Sequence, residues 1–138
     1  MSNITAIIGA GFGDEGKGHI TDLLASQDVN SLVARYNGGA QAAHTVVLNN
    51  GTRHAFGHFG SGTLANCPTY LGPFFIVNPL LWLKEATVLQ NLLRLSNLPH
   101  LFVNDYCLVT TPYDMLFNQE IETFRGAKRF GSCGCGIF

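Results

Sequence analysis

Residues 4–20 read ITAIIGAGFGDEGKGHI: an apolar run, a glycine-rich loop and the opening of a helix. The run ITAII (4–8) has the form of a short buried strand, closed by Gly9. Beyond the loop, HITDLLA sets Ile20, Leu23 and Leu24 at helical spacing. Strand, glycine loop and helix are the setting of a phosphate-binding loop, and Gly11, four residues, then Gly16-Lys17 is close to its spacing. In such a loop consecutive backbone N–H groups face phosphate oxygens, the helix dipole favours the anion, and Lys17 adds a positive charge. Two positions depart from the motif. Gly18 stands where a Ser or Thr hydroxyl would hold magnesium, and a carboxylate, Asp14, lies inside the loop. Magnesium prefers hard oxygen ligands, and Asp14 is the nearest carboxylate. A plain glycine turn beside an exposed acid and lysine would leave the same short pattern. The dinucleotide fingerprint G-x-G-x-x-G fits at Gly9 and Gly11 but meets Asp14 at its third glycine.

The 138 residues suit one domain with a real core, since 46% are hydrophobic. Only 12% are charged and the net charge is −1, which argues against a nucleic acid polymer or an anionic membrane as partner. Cys67, Cys107, Cys133 and Cys135 do not form a zinc-type pair of pairs, so reduced thiols in a cytoplasmic protein are expected. The start of the chain has neither the basic segment of a signal peptide nor the length of a membrane span.

Further along, LVARY (32–36) and TVVL (45–48) read as a second and third strand. Asn78-Pro79 opens a helix over about 80–95, with Leu80, Leu81, Leu83, Val88, Leu89, Leu92, Leu93 and Leu95 forming a broad apolar face for core packing. Thr111-Pro112, with Asp114 three residues after the cap, opens another helix that runs to Phe124. Strands alternating with helices give an α/β class: a P-loop-like nucleotide-binding fold with a mostly parallel central sheet and flanking helices. The chain closes on GSCGCGIF, a glycine loop where a domain seldom stops. The chain is therefore expected to be a fragment of a longer domain whose continuation covers the leucine-rich surface.

The second loop, YNGGAQAAHTVV (36–47), is built of small residues that leave room for a ligand. Only Gln41, His44 and Thr45 offer polar chemistry there, at a strand end where α/β sheets place ligands. Together, Gly13-Asp14-Glu15-Gly16-Lys17-Gly18 and Arg35-Tyr36-Asn37-Gly38-Gly39-Ala40-Gln41-Ala42-Ala43-His44-Thr45 closely resemble the adenylosuccinate synthetase family. That family carries GDEGKG after its first strand and RY-x-GG-x-NAGHT after its second. The resemblance continues through Ser61-Gly62, Leu71-Gly72 and Asn78-Pro79. It returns at Arg125-Gly126-Ala127-Lys128, followed by FGSCGCGIF where the family has IGTTGRGIG.

The resemblance implies that residues 1–138 are the N-terminal part of a single catalytic domain, that of a ligase that joins L-aspartate to carbon 6 of a 6-oxopurine nucleotide through a 6-phosphoryl intermediate. It implies Asp14 and His44 as catalytic residues, acting as general base and as donor to the purine oxygen. Gly13, Glu15, Gly16, Lys17, Gly18 and Thr45 would contact nucleotide phosphate. Asp14, Gln41, Ala42, Ala43, Ser132 and Cys133 would contact the purine nucleotide. Magnesium would be held by Asp14 and the Ala43 carbonyl, and a homodimer is implied by the family alone. Gln41 and Ala43 replace the family's Asn and Gly, while Ser132, Cys133 and Cys135 replace Thr, Thr and Arg. Divergence at so many substrate positions resembles the bacteriophage branch, which acts on deoxyguanylate (dGMP) with ATP or dATP and leads to 2-aminoadenine in phage DNA. Some members of that branch replace the loop Asp, which this chain keeps. The ordinary synthetase, using inosinate (IMP) and GTP, is the alternative.

Elsewhere the sequence is less informative. His54, His58 and His100 have no carboxylate or cysteine at ligand spacing and read as structural or surface residues. GPFFIV reads as core strand. Asp105-Tyr106 sits near a strand end where a pocket would be lined, and Lys128 and Arg129 suit either a phosphate or solvent. A regulatory nucleotide-binding domain without chemistry would need Lys17 and the glycines, but has no use for both Asp14 and His44.

Overall fold

The computed structural model describes residues 3–94 and 97–137. In chain order these form α1 (Lys17–Gln27), β1 (Val33–Gly39), β2 (His44–Val47), β3 (Arg53–Phe56), a 3₁₀ turn (Ser61–Ala65), β4 (Thr69–Val77), α2 (Pro79–Leu93), β5 (Leu101–Val103), β6 (Leu108–Val109), α3 (Pro112–Arg125) and a second 3₁₀ turn (Gly126–Lys128). The main sheet is entirely parallel. β4 lies at its centre, pairing with β1 on one side and with β5 and β6 successively on the other. The expected α/β class, with a parallel sheet and flanking helices, is what the chain forms.

Two helices start where their caps dictate. The Asn78 side chain accepts a hydrogen bond from the Leu81 amide at 3.0 Å, with Pro79 in the first turn of α2. Thr111 and Asp114 form a reciprocal capping box at α3, the Thr111 amide donating to Asp114 at 2.7 Å. The core has two clusters bridged by Trp82. Val46, Phe56, Phe59 and Leu89 form one, and Leu71, Phe75 and Val77 the other.

Two expectations fail and a third is refined. Residues 4–8 are not a strand: Ile4 is 96% and Ile8 81% exposed, and neither has a ladder partner among the described residues. An apolar run becomes a strand only when another strand takes its backbone hydrogen bonds. The TVVL run is a strand, but it starts at His44 and forms an antiparallel hairpin with β3, outside the parallel sheet. The apolar face of α2 is mostly bare: only Leu89 of its leucines is fully buried, while Leu80, Leu83, Val88 and Leu92 stay exposed. Leu95, assigned to the same face, lies outside the described residues.

Helix α1 forms as expected, but Ile20, Leu23 and Leu24 are exposed; Gly18, Asp22 and Ala25 are the buried side. In GPFFIV, Phe75 is buried and Phe74 exposed, as alternation along β4 requires. All four cysteines are free. No helix among the described residues is long and apolar enough to cross a membrane.

Candidate functional site

The glycine loop before α1 closes on itself. Gly16 caps the helix in the left-handed region, at φ 79°, a conformation that a side chain disfavours. Inside the loop the Glu15 carboxylate is ringed by backbone amides and the Lys17 ammonium. It accepts from the Gly11 amide at 2.8 Å and the Gly13 amide at 3.0 Å, and pairs with Lys17 Nζ at 2.7 Å. The Lys17 ammonium, then the Gly13 amide, hold the Glu15 carboxyl down to about 2. The neighbouring Asp14 is exposed and makes no hydrogen bond among the described residues.

Gly18 answers for the missing hydroxyl. A Cβ at this position would lie 2.7 Å from the Thr45 carbonyl oxygen and 3.1 Å from His44 Cβ. The first helical turn therefore rests directly on the start of β2, and no Ser or Thr fits there. This contact brings the first loop to His44 and Thr45. His44 is half-buried, and burial, then the charges of Arg35 and Lys17, push its imidazole below the usual range. It is neutral near pH 7, able to donate a hydrogen bond from one ring nitrogen.

Gln41, Ala42 and Ala43 are exposed at the turn between β1 and β2. The Gln41 side-chain oxygen and the Ile137 side chain converge on Gly39, at 2.8 and 2.6 Å from where a Cβ would sit. The closing glycine loop thus reaches the second loop through Ile137. Ser132 and Cys133 lie earlier in the closing loop, beside α3 in the case of Ser132. The Asn118 amide of α3 donates to Ser132 Oγ at 3.1 Å, and Cys133 is exposed. Asp105 and Tyr106 are exposed in a turn, and Lys128 and Arg129 stay at the surface.

Two charged residues that sequence reasoning passed over lie behind the second loop. Arg35, in β1, is buried and donates to the Ala42 carbonyl at 2.7 Å and the Phe56 carbonyl at 3.1 Å, and also to the Gly57 carbonyl. Glu85, in α2, is buried and accepts from the Gly57 amide at 2.9 Å and the His58 amide at 2.7 Å. His54 and His58, expected to lack a carboxylate, both face Glu85, at 3.5 and 3.4 Å. The Asn78 amide donates to His58 Nε2 at 3.0 Å, so the proton of neutral His58 sits on Nδ1, toward Glu85. Burial opposes ionisation of Glu85, but the imidazoles of His54 and His58 and the two amides outweigh it and hold its pKa at about 2. Among the described residues no cluster of three His, Cys, Asp or Glu side chains is arranged to hold a metal ion. A signal was available: an arginine inside an apolar strand, and a lone acid four residues before the buried Leu89.

Comparison with known proteins follows the same residues. The family model described as adenylosuccinate synthetase matches residues 6–138. The adenylosuccinate synthetase of Acaryochloris marina is 40% identical over 99% of this chain, and that of Borrelia duttonii 35% identical over 97%. In each case the chain spans 30% of the relative's length. Among solved structures, a fully ligated adenylosuccinate synthetase from Plasmodium falciparum superposes with a TM-score of 0.80 at 28% identity, over 99% of this chain and 31% of that one. The cyanophage S-2L succinoaminodeoxyadenylate synthetase shares the fold at TM-score 0.61 and 21% identity, over 79% of this chain and 30% of its own.

Proposed function

Because the chain belongs to the adenylosuccinate synthetase family, we propose that the protein is a carbon–nitrogen ligase coupling L-aspartate to carbon 6 of a 6-oxopurine nucleotide at the expense of a nucleoside triphosphate. The observation that supports this reading best is the seating of Gly18 on His44 and Thr45, which sets the first loop against the start of β2.

The chemistry follows from the groups present. A purine 6-oxygen leaves poorly, so it is first phosphorylated. Asp14, an unpaired carboxylate, removes the N1 proton, and the electron pair moves onto the 6-oxygen. His44 donates a hydrogen bond to that oxygen as the γ-phosphoryl group reaches it. Lys17, with the amides of Gly13, Gly16 and Gly18 and the Thr45 hydroxyl, holds the triphosphate. Glu15 keeps this cradle formed until phosphate enters. The aspartate amine then attacks carbon 6, phosphate departs with the C–O electron pair, and the amine loses a proton. Gln41, Ala42, Ala43, Ser132 and Cys133 line the purine nucleotide. The donor set suits magnesium: Asp14 is a free hard-oxygen ligand, the Ala43 carbonyl is a second, and substrate phosphates complete such a site. Bound there, the ion neutralises charge on the transferring phosphoryl group. A homodimer completes the reading.

The acceptor has two readings. Gln41, Ser132 and Cys133, all departing from the family pattern, favour dGMP with ATP or dATP, as in the bacteriophage branch. The 35–40% identity to proteins named adenylosuccinate synthetase favours IMP with GTP equally. A coupled assay of the natural protein with aspartate and magnesium separates them, crossing IMP and dGMP with GTP, ATP and dATP. Turnover of dGMP alone assigns the phage-type substrate, and turnover of IMP alone the ordinary one. Turnover of neither overturns the ligase reading.

A further inference from the structure

Behind the second loop, opposite charges grip the same backbone from two sides. The peptide unit between Phe56 and Gly57 offers its carbonyl to Arg35 and its N–H to Glu85. The next unit repeats this, the Gly57 carbonyl going to Arg35 and the His58 N–H to Glu85. No direct bond joins the two side chains; two consecutive peptides bridge them. Each ionic end satisfies buried backbone groups, and each peptide dipole lies between a positive and a negative charge. Burial lowers Arg35 and the Glu85 charge opposes that, leaving its pKa at about 10, so the guanidinium stays charged at neutral pH.

The other amino group of Arg35 is what matters for the site. It donates to the Ala42 carbonyl at 2.7 Å, two residues before His44. An open cavity of about 250 Å³ lies between this loop and α2, lined by Ala40, Ala43, His54, His58, Lys84 and Glu85. On that side, side-chain packing does not hold the turn over residues 40–43. A Cβ at Gly57 would already lie 3.4 Å from the Ala40 carbonyl, so backbone rests on backbone. We propose that Arg35 is a positioning residue: with Glu85 it clamps residues 56–58, and through the Ala42 carbonyl it fixes the turn that presents His44 to the first loop. The consequence for catalysis rests on the ligase reading above; the consequence for the turn does not.

The test is Arg35→Lys, with Glu85→Gln as the second variant, in the natural protein. Lysine keeps the charge but has no fork to reach Ala42 and residues 56–57 together. The expected result is a kcat lower by ~10- to 100-fold, as for a reacting group displaced by about 1 Å. KM for the triphosphate stays within about two-fold of wild type on that account, because Lys17 and the loop amides are untouched. Amide exchange should accelerate at residues 42–45 and remain unchanged in α3. Unchanged kcat in folded Arg35→Lys, or exchange that accelerates evenly through the molecule, overturns the proposal. Failure of both variants to fold assigns the clamp to folding and overturns it too. A wild-type protein without turnover sinks the ligase reading alone, since the exchange comparison still reads the clamp.

Discussion

The glycine loops at the two ends of the chain each hold a carboxylate in a ring of backbone amides, and they do so in different ways. In the first, Glu15 accepts from Gly11 and Gly13, four and two residues away, with Lys17 as its counter-ion. In the last, Glu122 reaches out of α3 to the amides of Phe130 at 3.3 Å, Gly131 at 2.7 Å and Ser132 at 3.2 Å, and is paired with Arg125 at 2.8 Å. The first carboxylate belongs to the loop it fills, so it ties the loop to nothing else. The second fastens its loop to a helix capped at one end by Thr111 and Asp114. Asn118 and Gln119 add further bonds from the same helix to Ser132 and the Gly134 carbonyl. The same nest of amides thus holds an acid of its own loop in one place and an acid of a neighbouring helix in the other. What separates them is whether the acid is local or anchored.

Adjacent residues of the first loop give the sharpest contrast, and the largest expected effect. Asp14 is free while Glu15 is consumed, so the two acids should not be interchangeable. Asp14→Ala should lower kcat by ~10²- to 10⁴-fold, the range of a lost general base, while nucleotide binding by calorimetry is largely kept. Near-wild-type turnover would remove Asp14 from the chemistry and leave the loop as a binding element only. Next in size is Gly18→Ser, which restores the phosphate-loop hydroxyl. Its Cβ would enter the 2.7 Å approach to the Thr45 carbonyl, a backbone atom unable to turn aside. Overpacking of this kind costs ~1–3 kcal/mol. A lower melting temperature and reduced turnover are expected, and a variant that matches wild type would show that the loop has room for the ordinary motif.

Legibility in the sequence followed the range of the forces involved. The caps at Asn78 and Thr111 are set by neighbours within four residues, and both helices begin where those residues place them. The strand expected at residues 4–8 depended on a partner strand, which local pattern cannot supply. The GDEGKG and HT motifs were both visible, but not the reason for Gly18, which lies in a contact with residue 45. Glu15 is named by its motif as a phosphate contact, but its ion pair with Lys17, two residues away, is not legible from that motif. Arg35 and Glu85 were passed over because their relation runs through the backbone of residues 56–58, far from either in sequence. His54 and His58 looked partnerless for the same reason: Glu85 lies 27 residues or more beyond each along the chain.

At the other end of the chain, Glu122→Gln tests the scaffold half of the contrast. An amide keeps the size but presents its NH₂ group to backbone donors that need an acceptor. Exchange at Gly131 and Ser132 should accelerate, and KM for the purine nucleotide should rise by about ten-fold if three weakened hydrogen bonds mis-set the loop. Triphosphate binding at the first loop should not change. A matching loss at both loops would mean that Glu122 supports the fold at large, and the distinction between anchored and local acids would fail.

The smallest effect carries the most information about the first loop. Glu15→Gln leaves an acceptor for Gly11 and Gly13 but cancels the charge that pairs with Lys17. If the carboxylate is an occupant that phosphate must displace, the variant should bind triphosphate more tightly, by about three- to ten-fold, consistent with the modest worth of an exposed ion pair. The sign with pH is fixed. Lys17 and the loop amides depress the carboxyl to about 2, so it is ionised at every pH above its ordinary value. Its contribution to the closed loop is complete there and fades only as the pH falls toward about 2. The ratio of variant to wild-type affinity should therefore be flat from about pH 5 to 8, and any slope shared by both proteins belongs to the phosphate and to His44. Weaker binding by the variant would make Glu15 a ligand in its own right. The first loop would then be a scaffold like the last, and the two ends of the chain would differ only in how far away the acid sits.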